Sequence, residues 1–279
     1  MSNAVHPFSD RDIAILKYEP IERNGLVYYP LKVEDYEKWQ AIKPVLTLRQ
    51  GTLPAVYACM TYLQCVWALQ FDAMEQGDLI RTKTWSILGC LLFLSLRLSD
   101  GDMIQPIGNP SDPRTITSVR ITKNGEQYDI SASEFAQVRK LIADQNGAEL
   151  PDEADNPDLI EAAEDISNAR ADIRLKTDFG DMLTSVANEL RIRRVELLEW
   201  PIKEFDDEVR AINRKFGYFL SSIAETQGAK FPKGNPHPTW MFDKAKDEFA
   251  GLISMEQLSA EHHTTFTQEE QTPINNPLH

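Results

Sequence analysis

The chain has 279 residues, with 43 acidic side chains against 29 basic ones and a formal net charge of −14. A field of that sign repels phosphate backbones and anionic lipid headgroups, so nonspecific binding to nucleic acid or membrane surfaces is disfavoured. An apolar fraction of 42% beside 26% charged residues argues against wholesale disorder.

Residues 1–17 open with a polar, irregular run and are expected to be a flexible arm. From Ile21 to Leu31 two strand-forming runs flank Asn24-Gly25, and that dipeptide suits the positive φ of a hairpin turn. Pro30 confines the second strand to an edge or a strand end. A helix is expected from about Val33 to Leu46, with Tyr36, Trp39 and Ile42 on one face and Pro44 kinking or ending it.

The stretch from Tyr57 to Leu98 is the apolar heart of the sequence. Tyr57 to Phe71 and Trp85 to Leu98 read as two helices joined across Glu75-Gln76-Gly77-Asp78, the second apolar on nearly every side. Such a helix belongs in a core or in lipid, and Trp85 to Leu96 falls short of the roughly 20 apolar residues that span a bilayer. A core centred on Leu63, Trp67, Leu88, Leu91 and Phe93 is expected. Cys59, Cys65 and Cys90 all fall inside these helices. An odd count, no Cys-x-x-Cys spacing and no apolar leader predict reduced thiols in a cytosolic compartment, acting as small hydrophobes.

Residues 99–113 read as a loop. Thr115 to Thr122 and Glu126 to Ile130 then form a second hairpin around Asn124-Gly125, and Ser131 with Glu134 makes a capping box for a helix carrying Phe135, Val138, Leu141 and Ile142. Gly147 suits its C-cap. Hairpin followed by helix thus occurs twice, a likeness that common turn and helix-start signals explain as well as a repeat does.

From Asp144 to Asp165 there are nine acidic residues and no basic one. A docking tail for a cationic partner, a cation site or a solvated linker would each fit, and the linker, leading into an exposed helix at about 156–171, is the simpler reading because Asp152, Glu153, Asp155 and Asp158 lack the glycine and the twelve-residue ligand spacing of a calcium loop. Beyond it, Phe179, Leu183, Val186 and Leu190 stripe a helix, and a short segment from Val195 to Trp200 follows. Pro201 starts a long helix in which Ile202, Phe205, Val209, Ile212, Phe216, Phe219 and Ile223 recur at alternating steps of three and four. Gly228 ends it. Phe231 to Trp240 is too rich in proline to be regular, and 242–251 reads as a last helix before a disordered tail.

The chain holds no Walker A loop, no Gly-x-Gly-x-x-Gly, no His-Glu-x-x-His and no Gly-x-Ser-x-Gly, so no catalytic, cofactor-binding or metal-binding residues are assigned and no cofactor is expected. The helices around Arg191, Arg193 and Arg194 resemble a DNA-binding helix-turn-helix. The following helix, however, opens Ile-Lys-Glu-Phe-Asp-Asp-Glu, acidic where base and phosphate contacts need Arg, Lys or Asn.

The run Val186-Ala187-x-x-Leu190-x-Ile192-x-x-Val195-x-x-Leu198-x-Trp200-Pro-Ile-x-x-Phe205 resembles the C-terminal helical module of bacteriophage tail proteins, particularly the small tail assembly chaperones. The upstream hairpin and helix, followed by Leu48-Arg-Gln-Gly-Thr-Leu-Pro54, resemble proteins from tail gene clusters of phages and prophages of Gram-positive bacteria. This chain is about twice the usual length of those chaperones. The resemblance implies a noncatalytic factor, working in the host cytoplasm, that holds the tape-measure protein soluble before the tail tube forms around it.

The resulting expectation is an α+β, predominantly helical chain in which two β-hairpins flank an apolar helix pair and a helical module follows. Its expected parts are an arm at 1–17, an α+β domain at 18–147, an acidic linker with an exposed helix at 148–177, a helical domain at 178–260 and a disordered tail at 261–279. Ile202, Phe205, Val209, Ile212, Phe216, Phe219, Phe231 and Trp240 are the expected partner-binding residues. The partner would be a tape-measure or other tail protein, with a homo-oligomer possible and neither nucleic acid nor membrane involved. The alternative roles are a structural component of a tail or injection particle, and an acidic regulator with a degenerate helix-turn-helix.

Overall fold

The structure, a computed structural model, describes residues 9–77, 83–151, 178–231 and 235–241. It is α+β and mostly helical, with a two-stranded and a three-stranded antiparallel sheet. The expected helices at 156–171 and 242–251 and the tail at 261–279 lie outside the described residues.

Part of the expected N-terminal arm is ordered as α1 (Asp10–Leu16). Ser9 accepts the N–H of Asp12, whose carboxylate returns a bond to the Ser9 N–H, so two of the helix's orphan donors are satisfied. Strands β1 (Ile21–Arg23) and β2 (Leu26–Tyr28) then pair with Arg23 opposite Leu26. Asn24 and Gly25 between them stand at φ 53° and 74°, as a two-residue hairpin turn requires. A 3-10 turn at Val33–Asp35 leads into α2 (Tyr36–Leu46), which buries Trp39, Ile42, Val45 and Leu46. Pro44 lies in its last turn, two residues before the end.

The first apolar helix does not start at Tyr57. A short α3 (Ala55–Ala58) stops, and α4 (Tyr62–Gln76) begins at a second capping box, Thr61 with Gln64. Gly77 closes α4 in the left-handed region, and α5 (Thr84–Ser95) packs back against it. Leu63, Leu88 and Leu91 are buried as expected. Trp67 is half-buried and donates its indole N–H to the Pro110 carbonyl at 3.0 Å, while Phe93 is 39% exposed and not a core residue. Cys65 is buried and Cys90 partly so, but Cys59 caps α3 and is exposed rather than lying inside a helix.

The expected loop at 99–113 contains a strand. β3 (Met103–Ile107) pairs with β4 (Ser118–Lys123), which pairs with β5 (Glu126–Ser131), so the second hairpin is two-thirds of a three-stranded sheet. Pro106 is tolerated because β3 is an edge. The capping box at Ser131 and Glu134 starts α6 (Ala132–Gln145), whose Phe135, Val138, Leu141 and Ile142 enter the core with Val119, Ile121 and Ile130 of the sheet. Arg139 is also buried there. Its guanidinium donates to the carbonyls of Leu46 (2.7 Å) and Leu48 (2.8 Å) and lies over the Tyr62 ring, tying α6 to the end of α2.

After 178 come α7 (Phe179–Leu190), α8 (Arg194–Leu198) and α9 (Ile202–Thr226). They are not a separate packing unit, for residues on both sides of the acidic stretch belong to one compact unit of the chain. The Val33 N–H donates to the Trp200 carbonyl at 2.9 Å, and the Ile202 N–H to the Leu31 carbonyl at 2.8 Å. Ile202 thereby enters the main core. A second cluster joins Val33 to Leu183, Val186, Ala187, Leu197 and Phe205, with Tyr36 stacked on Phe179 at 4.5 Å between ring centres.

Candidate protein-binding surface

The heptad stripe of α9 changes character along its length because its neighbours end. Ile202 and Phe205 are 0% exposed, sealed by the Leu31–Trp200 crossing and by α7 and α8. They are core residues, so the structure removes both from the expected binding set. Val209 and Ile212 are half-buried against the second cluster. Past α7 nothing described covers the stripe, and Phe216, Phe219 and Ile223 are 49, 50 and 53% exposed, with Leu220 beside them at 68%.

A return segment fixes the border of this surface. His237 sits on α9 at Gly217, where a Cβ would stand 2.9 Å from its imidazole ring, so only glycine admits so close an approach. Ser221, buried beneath, donates to the His237 carbonyl at 3.4 Å. The segment continues to Trp240 and Met241, 55 and 58% exposed. With Leu190, Ala211 and Ile212, and with the charged side chains of Glu189, Glu208, Arg214 and Lys215, these two line a groove of about 380 Å³ between α7 and α9. Phe231 is half-buried. Of the eight expected contact residues, Phe216, Phe219 and Trp240 are open, and Leu220 and Met241 join them. Glycine in the middle of a long helix costs about 1 kcal/mol against alanine, and Gly217 was the signal of a close approach there.

The front half of α9 is acidic and half-buried. Burial pushes the Asp206 carboxyl above the ordinary aspartate value, and burial with the nearby Glu208 charge does the same for Glu204. Tyr18 donates to Asp207 at 3.2 Å, and burial followed by the Asp207 charge pushes its hydroxyl up to about 12. A wider cleft of about 530 Å³ between α1, the end of α6 and α9 is lined by Arg11, Lys140, Lys203 and Arg210. Its cations are largely answered by acids. Arg11 pairs with Asp144, and Lys203 and Arg210 both pair with Asp207.

The turn that resembles a helix-turn-helix is also answered internally. Arg193 pairs with Glu196 at 2.6 Å, and Arg194 donates to the Thr184 hydroxyl. No group of three or more His, Cys, Asp or Glu side chains that could hold a metal occurs among the described residues. No described helix is long and apolar enough to cross a membrane. No family model, curated protein or solved structure compared with the chain matches it.

Proposed function

We propose that this chain is a noncatalytic bacteriophage tail morphogenesis factor, a tail assembly chaperone that binds the tape-measure protein in the host cytoplasm. One observation carries the reading. The back half of a 25-residue helix presents Phe216, Phe219, Leu220 and Ile223 to solvent, beside a groove ending in Trp240 and Met241. Contiguous apolar surface of this kind marks an interaction site, and an amphipathic helix laid along a helix-walled groove is the occupant its shape suits. A tape-measure protein is a long helix whose apolar stripe stays exposed until the tube encloses it. A chaperone for it needs an apolar face on a body that resists aggregation, and a net charge of −14 supplies that resistance.

The test is coexpression with the longest helical protein encoded beside this chain. The partner's soluble fraction should rise with the wild-type chain, and the gain should be lost with Phe216→Ser and Phe219→Ser together. A partner equally soluble alone, or a pair that never copurifies at low salt, defeats the chaperone reading. Mass spectrometry of purified particles then decides for a structural component if the chain is present at structural copy number.

A further inference from the structure

Another hollow, of about 370 Å³, lies where the end of α5 meets the exit of the first hairpin. Pro30, Leu31, Phe93, Leu94 and Leu98 supply its apolar walls, and Lys32 and Arg97 its cations. Arg97 follows α5 at φ 50°, the left-handed position that closes a helix and that glycine fills without strain. Its N–H donates to the Leu94 carbonyl at 3.1 Å, and the Leu98 N–H to the Phe93 carbonyl at 3.0 Å. The helix end thus needs this backbone conformation and gains nothing from a long side chain there. The Arg97 guanidinium lies 3.9 Å from the centre of the Tyr29 ring, and among the described residues neither a carboxylate nor a carbonyl accepts from its five N–H groups. We infer that this hollow binds a carboxylate carried on an apolar body, with Arg97 taking the carboxylate and Phe93 and Leu94 packing the body.

The neighbouring charges leave Arg97 as the open donor. Lys32 is bonded by Glu199 and stands 3.8 Å from Glu34, while Asp35 bonds Lys38 at 2.7 Å. Both acids that line the hollow, Glu34 and Asp35, are therefore answered by lysines. A helix C-terminus disfavours an anion, but here Lys123 meets the end of α5 and donates to the Leu96 carbonyl at 2.7 Å. Arg97 is then not needed to offset the dipole.

The ligand class follows from what remains. Contact with Tyr29 holds the guanidinium before any ligand arrives, so less side-chain freedom is lost on pairing, and a carboxylate matches its fork with two parallel bonds. One open cation suits a singly charged group, whereas a phosphate dianion would face Glu34 and Asp35 without a second free donor. Phe93, 39% exposed, gives the ligand an apolar wall, and the volume falls in the range of small-molecule sites, about 300 to 1,000 Å³.

The carboxylate belongs either to a free small acid or to the end of a peptide, and ligand-observed NMR titration of the full chain separates the two. N-acetyl-L-phenylalanine should bind with a Kd on the order of 1 mM. Its uncharged amide should bind about tenfold more weakly or worse. The peptide Ala-Ala-Ala-Phe with a free C-terminus assigns the site to peptide ends if it binds about tenfold tighter than the acid, and to small acids if it does not. Arg97→Gly should abolish binding of the acid, and because glycine suits the backbone there it should not lower the melting temperature. Phe93→Ala should weaken binding about fivefold. No binding of the acid at about 10 mM, equal binding of acid and amide, or binding that survives Arg97→Gly overturns the proposal. So does a melting temperature that Arg97→Gly lowers by more than about 5 °C, which would assign the side chain to holding Tyr29. None of these readouts involves the exposed stripe of α9, so the result stands or falls separately from the coexpression test.

Discussion

The side-chain carbonyl of Asn146 accepts the backbone N–H of Leu31 at 2.8 Å, across 115 positions of sequence, inside a core where Asn146 is 1% exposed. Its amide donates to the Ile142 carbonyl at 2.7 Å, so one side chain caps α6 and holds the exit of the first hairpin. The neighbouring Gln145 donates to the Tyr28 carbonyl at 3.1 Å and secures the same strand. Replacing Asn146 by alanine leaves the Leu31 N–H buried without its acceptor. A loss of about 1 to 3 kcal/mol is expected in urea unfolding. A change under about half a kcal/mol would show that water or a backbone shift replaces the bond.

Leu91 and Phe93 test which side of α5 faces the core. Leu91 is 1% exposed and Phe93 39%. Leu91→Ala should cost about 2 to 5 kcal/mol through lost burial and a residual cavity, whereas Phe93→Ala should cost far less. Equal losses from the two would mean that Phe93 is covered in solution by something not bound to it here. Far-ultraviolet circular dichroism with denaturant measures both.

The elements legible in the sequence were those written by local chemistry. Asn24-Gly25 and Asn124-Gly125 specify turns, and Ser131 with Glu134 specifies a helix start. The same capping spacing at Thr61 and Gln64, and at Ser9 and Asp12, marks helix starts where the apolar pattern pointed to one long helix and to an arm. Phe93 could not be placed because a helix apolar on nearly every side carries no periodicity to say which side is out. β3 was hidden because Pro106 reads as a loop residue until an edge position makes room for it. The binding surface was half legible. Period three-four shows the stripe from Ile202 to Ile223, but where it changes from core to surface depends on where α7 ends against α9 and on the crossing of Trp200 with Val33, 167 positions away, and neither is written in local periodicity.

Duplex DNA should not bind at about 0.15 M salt, where the attraction that a basic face would supply is already weakened. Arg193 is engaged by Glu196, and the helix that would read bases begins with Glu204, Asp206, Asp207 and Glu208 after an N-terminus buried in the core. Fluorescence anisotropy with a labelled duplex checks this. A complex at micromolar protein that is weakened by Arg193→Ala and Arg194→Ala would revive the regulator reading.

Asp206 should make the protein less stable at neutral pH than its amide counterpart. It lies on the half-buried front of α9, where burial raises its pKa and Asp207 raises it further, against the opposing attraction of Lys43, Arg210 and Lys203. With the folded value above the unfolded one, the folded state binds more protons between the two, so stability from this group is full below the unfolded value and falls as pH rises through the folded value. At pH 7 the carboxylate is charged in both states and its burial opposes folding. Asp206→Asn keeps the shape and removes the charge, so its urea midpoint should exceed that of the wild type at pH 7. The gain should shrink as pH falls towards 4 and vanish below the ordinary aspartate value of 3.8. The difference between the two proteins is the quantity to follow, because the wild-type curve alone mixes this group with Asp102, Asp129 and Glu134. Those carboxyls are held low by hydrogen bonds and lose their contribution as pH falls. A lower midpoint for Asp206→Asn at pH 7 would mean that attraction to Lys43 and Arg210 outweighs desolvation. Asp206 would then be a stabilising anchor between α2 and α9.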